Sequence, residues 1–294
     1  MESIAELRKI CQTAFKREPE NVYGHFIRIF SIYVTRLLIP TSITANQVSV
    51  IMIVVGSTAT LFFLSPSRWF FLTGALLMQF WYTLDGVDGE VARYRHYQKS
   101  GSQLMDKRDG SLTGMYLDMI NHYIINFLLP VALGLGLFYQ RGETRWLFIG
   151  IAASLAQVLM LSMHDARCRT QLTHLKRFSH IEVMKESAAE TESPKKRSPA
   201  RWVFIALHNT LTYPAVMNLT GLAALFNIFF PSLEWRVPLL GYLCLGSIVV
   251  SGTLIGRFVR RQLTEEEFHK TFRVSNTAGQ SLQGLESKKN PKSY

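Results

Sequence analysis

Six long apolar runs punctuate the chain, near residues 47–66, 70–90, 114–138, 146–164, 205–230 and 237–256, with polar or charged segments between them. Each run, wound as a helix at 1.5 Å per residue, is long enough to cross about 30 Å of hydrocarbon. The pattern predicts six membrane-spanning helices. Ahead of the first run, Ile4, Leu7, Ile10, Cys11, Ala14 and Phe15 recur at helical spacing, with Lys and Arg on the other side. Such a stripe suits a helix lying in the membrane interface, and equally one packed on its own protein. A second amphipathic stretch runs from Tyr23 to Leu38 and is stopped by Pro40. The expected fold is therefore an all-α integral membrane protein, with six transmembrane helices preceded by amphipathic interfacial helices. Residues 1–46 form the amphipathic N-terminal region, 47–260 the six-helix domain, and 261–294 a largely disordered tail. Residues 178–202, polar, mixed in charge and carrying two prolines, read as a flexible linker within the domain.

Composition agrees with this reading and adds an orientation. Of 294 residues, 48% are hydrophobic and only 18% charged, and the net charge is +11. Twenty-eight of the 32 Lys and Arg fall in segments 1–46, 86–113, 166–202 and 257–294, which alternate with the predicted spans on one side. Lys and Arg resist translocation, so that side is expected to be cytoplasmic, together with both termini. The excess charge is then topology and attraction to anionic headgroups, and no nucleic-acid partner is expected. The first apolar run begins only after residue 46, so no cleavable signal peptide is expected. Cys11, Cys168 and Cys244 show no metal-ligand spacing and are not expected to form disulfides.

The chemistry concentrates where the second run ends. Residues 84–93 read LDGVDGEVAR, placing Asp85, Asp88, Gly89 and Ala92 on one helix face. Two carboxylates in or beside a bilayer cost several kcal/mol without a cation or a proton. Gly86 and Gly89 clear side chains so that something bulky can approach the backbone beside them. The third run opens with Gly114, Asp118, Asn121 and His122, again on one face and at the same membrane side. Asp85, Asp88 and Asp118 supply hard oxygen ligands of the kind Mg²⁺ or Mn²⁺ prefers. His164, Asp165, Arg167, Arg169, His208 and Asn209 lie level with this cluster and suit interfacial anchoring or an anionic acceptor.

Together these residues resemble the CDP-alcohol phosphotransferase family. Its signature is Asp, two residues, Asp-Gly, two residues, Ala-Arg, a spacer, then Gly, three residues, Asp, three residues, Asp. Asp85, Asp88, Gly89, Ala92 and Arg93 match the first block, and Gly114 and Asp118 match the second. TANQVS at 44–49 is similar to a Thr-Pro-Asn segment often found in the family. The resemblance covers roughly residues 23–260. Two departures stand out: a spacer of twenty residues between Arg93 and Gly114, and His122 in place of the final aspartate. Asp106 and Asp109 inside the spacer offer a rival second block with poorer spacing.

The resemblance implies attack of an acceptor alcohol on the β-phosphorus of a CDP-linked alcohol, with release of CMP. It implies a Mg²⁺- or Mn²⁺-dependent site on Asp85, Asp88 and Asp118, with the pocket at the cytoplasmic face. Asn46, Gly89, Ala92, Arg93 and Gly114 would receive the nucleotide and phosphates. His122 would stand where the family has its general base, with Asp118 beside it. Imidazole can take a proton near neutral pH but is a poor Mg²⁺ ligand. Three readings of His122 stand: a base in a site with altered metal occupancy, a mark of an unusual acceptor or donor, or a mark of lost catalysis. The family also implies membrane-lipid partners and a homodimer. The rivals are a non-catalytic relative that binds nucleotide or lipid, and a cation transporter. The transporter fits less well, because its acidic groups belong at the bilayer midplane.

Overall fold

A computed structural model describes residues 2–12, 22–101, 111–178, 180–183, 199–261 and 263–275. Almost everything described is helical: α1 (Ile4–Cys11), α2 (Val22–Leu38), α3 (Ala45–Phe62), α4 (Arg68–Ser100), α5 (Leu112–Arg141), α6 (Arg145–Leu175), α7 (Pro199–Thr210), α8 (Ala215–Phe229), α9 (Arg236–Arg261) and α10 (Leu263–Thr271). Two four-residue strands, β1 (His180–Val183) and β2 (Phe272–Ser275), pair antiparallel. The chain divides into two compact units, Met1–Val158 with Val203–Val249, and Leu159–Trp202 with Val250–Tyr294.

All six apolar runs fold as helix. By length and composition α3, α5, α6 and α9 can each cross a membrane unaided, and α7 with α8 can serve as a fifth, bent span. The run expected at 205–230 as one helix is broken there, with a bend of 74°. Pro214 accounts for the break, since proline lacks an N–H and disfavours helix at the residue before it. The 33-residue α4 is long enough, at about 50 Å, but its second half carries Asp85, Asp88, Glu90, Arg93, Arg95 and Lys99, and it falls outside the four.

Local signals explain where the helices of the larger unit begin and end. Ser3 and Glu6 form a capping box on α1, and Thr44 with Gln47 forms one on α3. The second box occupies the TANQ segment and sets Asn46 in the first turn of α3. Ser111 Oγ accepts from the Gly114 amide at the start of α5. Gly101 and Gly142 close α4 and α5 with φ of 67° and 71°, a conformation that glycine adopts at little cost.

Within this unit α3 lies against both α4 and α5. A Cβ on Gly56 would sit 2.6 Å from Trp81 and from Ile125, so that glycine lets three helices meet. The described part of the N-terminal stripe, read as either interfacial or packed, is packed: Leu7, Ile10 and Cys11 are buried with Ile32, Ile39 and Tyr94, while Ala14 and Phe15 lie outside the described residues. Helix α2 instead leaves Phe26, Phe30, Tyr33 and Leu37 exposed along one side. At the other end of the unit the Arg236 side chain is fully buried. It donates to the carbonyls of Ser65 and Pro66, to Gln140 and to both oxygens of Glu234.

The smaller unit differs from expectation. Residues 180–183 belong to the stretch read as a linker, and 263–275 to the stretch read as a largely disordered tail, yet they supply β1, α10 and β2. Phe268 is buried there, with the His174 ring 4.8 Å away and Phe272 at 5.4 Å. Residues 184–198 and 276–294, and Asp106 and Asp109 of the rival signature block, lie outside the described residues.

Candidate metal and substrate site

Asp85, Asp118 and His122 converge. One ligand atom from each lies within 4.8 Å of the others. His122 Nε2 is 3.4 Å from Asp118 Oδ1 and 3.9 Å from Asp85 Oδ1. Asp118 and His122 are one turn apart on α5, while Asp85 reaches them from α4. Asp118 Oδ1 is shielded from solvent and has only the ion-pair contact with His122 Nε2, with no well-aligned hydrogen bond among the described residues. A desolvated carboxylate oxygen left so is costly, which suits a cation in contact with it.

Asp88 stands outside this group of three. One turn along α4, it accepts a hydrogen bond of 2.8 Å from Ser49 Oγ of α3. Ser49, itself buried, was not singled out in the sequence; it belongs to the TANQVS segment. On the same side, Asn46 Oδ1 lies 3.2 Å from where a Cβ on Gly114 would be. Any side chain at 114 would press on Asn46, so the pairing of these two positions is steric as well as sequential. Ala92 is half-buried on α4.

The α2-facing side of α4 is different in character. Gly89 lies under the Arg93 guanidinium, whose Nη1 would be 3.1 Å from a Cβ there. Arg93 Nε donates to the Cys11 carbonyl, so this arginine ties α1 to α4. A guanidinium stays charged even when part-buried as this one is. Gly86 faces Ser31 of α2, 3.5 Å from a would-be Cβ. Both glycines thus admit neighbouring groups of the protein itself.

The imidazole of His122 is held by aromatic rings. Trp81 meets it edge-on with centroids 5.6 Å apart, and Tyr213 lies 6.0 Å away. Trp81 Nε1 in turn donates to Asn121 Oδ1 at 3.0 Å. Among the described residues the Tyr213 hydroxyl is buried without a hydrogen-bond partner. Sequence reading passed over Tyr213, whose only signal was the following proline. Glu90 was likewise unassigned, although it lies inside LDGVDGEVAR: it is buried and accepts from Gln12, Ser31 and Thr35. His164, Asp165, Arg167 and Arg169 belong to the smaller compact unit.

Chemically, the larger unit offers three carboxylates, an imidazole and a guanidinium at the junction of α2, α3, α4 and α5. Oxygen donors from two helices suit a hard divalent cation better than zinc. No family model and no curated protein matches this chain.

Proposed function

We propose that this protein is an integral membrane enzyme of the CDP-alcohol phosphotransferase type. It moves a phospho-alcohol group, phosphatidyl or similar, from a CDP-linked donor to an alcohol acceptor and releases CMP. In this reading α4 and the bent pair complete six spans, the site opens at the cytoplasmic face with both termini on that side, and the protein works as a homodimer. The observation that carries the reading is the convergence of Asp85, Asp118 and His122 from two helices, with Asp88 held one turn away by Ser49. Those positions are where the signature sequence puts its reactive groups.

The donor set fits Mg²⁺ or Mn²⁺: Asp85 and Asp118 offer carboxylate oxygens, one of them shielded from solvent beside His122, and Asp88 lies within a helical turn of Asp85. Asp85, Asp88 and Asp118 would hold such an ion, which would supply charge to offset the diphosphate and the leaving phosphate. The rest falls to the chain. Asn46 and Gly114, with Ala92 on the same side of α4, leave a place for the cytidine. His122, its ring fixed between Trp81 and Tyr213 and bordered by Asp118, takes the proton of the acceptor hydroxyl as the new O–P bond forms. CMP departs as the old bond breaks, and the proton passes from imidazole to solvent.

The test is a panel of CDP-linked donors and alcohol acceptors given to the purified protein with Mg²⁺ or Mn²⁺, with CMP as the readout. CMP above the level of an Asp88→Asn control is expected for at least one pair. Nucleotide binding without turnover would instead identify the non-catalytic relative.

A further inference from the structure

The bent pair α7 and α8 brings to the reactive cluster a side chain that the signature does not contain. Tyr213 lies in the elbow between the two helices, its ring 6.0 Å from that of His122 and 5.2 Å from that of Trp81. The elbow is held from two directions. On one, the hydroxyls of Thr210 and of Tyr242 on α9 share a hydrogen bond. Leu211, fully buried, packs where Gly246 of α9 has no side chain: a Cβ there would lie 3.0 Å from Leu211 Cδ1. On the other, Asn218 near the start of α8 accepts from Gln79 Nε2 of α4 at 3.2 Å.

A ring fixed in this way needs no hydroxyl to pack. The Tyr213 hydroxyl is nonetheless shielded from solvent and, among the described residues, has no hydrogen-bond partner. An O–H left so costs stability until something accepts from it. Trp81, the other ring against His122, has its N–H engaged by Asn121. Of these two rings, the phenol is therefore the one with a donor to offer a ligand. In the transferase reading, the phosphorus under attack lies within bonding reach of the oxygen that His122 deprotonates. The oxygens on that phosphorus then come up against the rings that hold His122.

We infer that Tyr213 is a substrate-contacting residue, its hydroxyl donating a hydrogen bond to a non-bridging oxygen of the β-phosphate of the CDP-linked donor. The charge on that oxygen and the dry surroundings of the phenol both strengthen such a bond. Tyr213 keeps its proton throughout, so it binds and orients the phosphate and leaves proton transfer to His122. The cost of the unmatched hydroxyl in the ligand-free protein is removed when the β-phosphate arrives. This inference rests on the transferase reading for the identity of the ligand, but the contact it asserts is measurable without turnover.

The experiment titrates the full chain in nanodiscs with CDP and with CMP, each with Mg²⁺, for wild type, Tyr213→Phe and Tyr242→Phe. Affinity is read by calorimetry, and thermal unfolding is measured without nucleotide. CDP carries the β-phosphate and CMP does not. Tyr213→Phe is expected to lose about 10-fold in CDP affinity, the low end for a hydrogen bond to a charged group, and to bind CMP as wild type does. Its Tm should stay level or rise, because the hydroxyl it lacks had no partner. Tyr242→Phe removes a hydroxyl that Thr210 engages, so its Tm should fall while its preference for CDP over CMP is kept. Equal CDP affinity in wild type and Tyr213→Phe, an equal loss for CDP and CMP, or the same lost preference in Tyr242→Phe would each overturn the inference, as would a wild type that does not bind CDP. The donor panel judges the transferase reading separately. CMP release with CDP affinity unchanged in Tyr213→Phe would sink this inference alone; a Tyr213-dependent CDP affinity with no CMP release from any donor would sink that reading and uphold the contact.

Discussion

Replacing Glu90 should release α1 from the rest of the protein, and the size of the effect follows from its contacts. The carboxylate is 1% exposed and accepts from Ser31 Oγ and Thr35 Oγ1 at 2.6 Å and from Gln12 Nε2 at 2.7 Å. Glu90→Ala leaves three donors facing a void. Each unsatisfied buried group costs about 1–3 kcal/mol, and water entering the void recovers part of it, so about 3 kcal/mol is expected. Gln12 follows directly on the last turn of α1, and Ser31 and Thr35 belong to α2, so the loss acts on the docking of both helices, α1 among them, against α4. Cys11 reports it: the thiol is buried, and burial pushes its pKa up to about 12. Thiolate is the reactive form, so docked Cys11 is protected twice over. In a Cys168→Ser, Cys244→Ser background, alkylation by a water-soluble maleimide reads local opening. A shift of 3 kcal/mol raises the labelling rate about 100-fold. Glu90→Gln keeps one acceptor oxygen and should fall between. A rate in Glu90→Ala within about twofold of wild type would refute the assigned role.

Other predictions concern the Arg236–Glu234 pair and the site. Arg236→Met strands the Glu234 carboxylate and should cost about 3–5 kcal/mol in unfolding measurements; with Glu234→Gln added, the loss should be less than the sum. Burial pushes the Glu234 carboxyl up, but the hydrogen bonds and charge of Arg236 outweigh it and hold the pKa below the usual range. The pair's contribution is therefore full above the unfolded value of about 4.3 and is lost as pH falls through the depressed folded value, which a stability profile from pH 7 downward should show. Ser49→Ala removes the hydroxyl that fixes Asp88 and should lower kcat about tenfold with little change in KM. His122→Asp should move the acid limb of the activity profile to lower pH, because a carboxylate titrates below an imidazole; full activity in His122→Ala would remove the base from the mechanism.

How much of this was legible in the sequence depended on the range of the interaction. Apolar runs are local, and all six fold as helix, though only four of the described helices are long and apolar enough to cross a membrane unaided and Pro214 splits a fifth. Helical spacing is local too, so Asp85 and Asp118 could be assigned to faces that meet. The partner of Asp88 could not, because Ser49 approaches from α3, thirty-nine residues away, and a serine in an apolar run carries no mark of its neighbour. Tyr213 reaches His122 only because the chain bends at Pro214, a tertiary consequence of one residue. The β1–β2 pair escaped for the same reason: four-residue strands with no long apolar run, joined across some ninety residues, leave no periodic signal. Glu90 lay in plain view within LDGVDGEVAR, but its hydroxyl and amide donors come from α2 and the end of α1.

The central claim is chemical, and CMP release tests it most directly. With Mg²⁺ or Mn²⁺ present, the wild-type protein should liberate CMP from a CDP-linked alcohol only when an acceptor is supplied. Asp85→Asn, Asp88→Asn and Asp118→Asn should each abolish that release while leaving the protein folded. Absence of CMP from every donor–acceptor pair, or release undiminished in the three variants, would contradict the account.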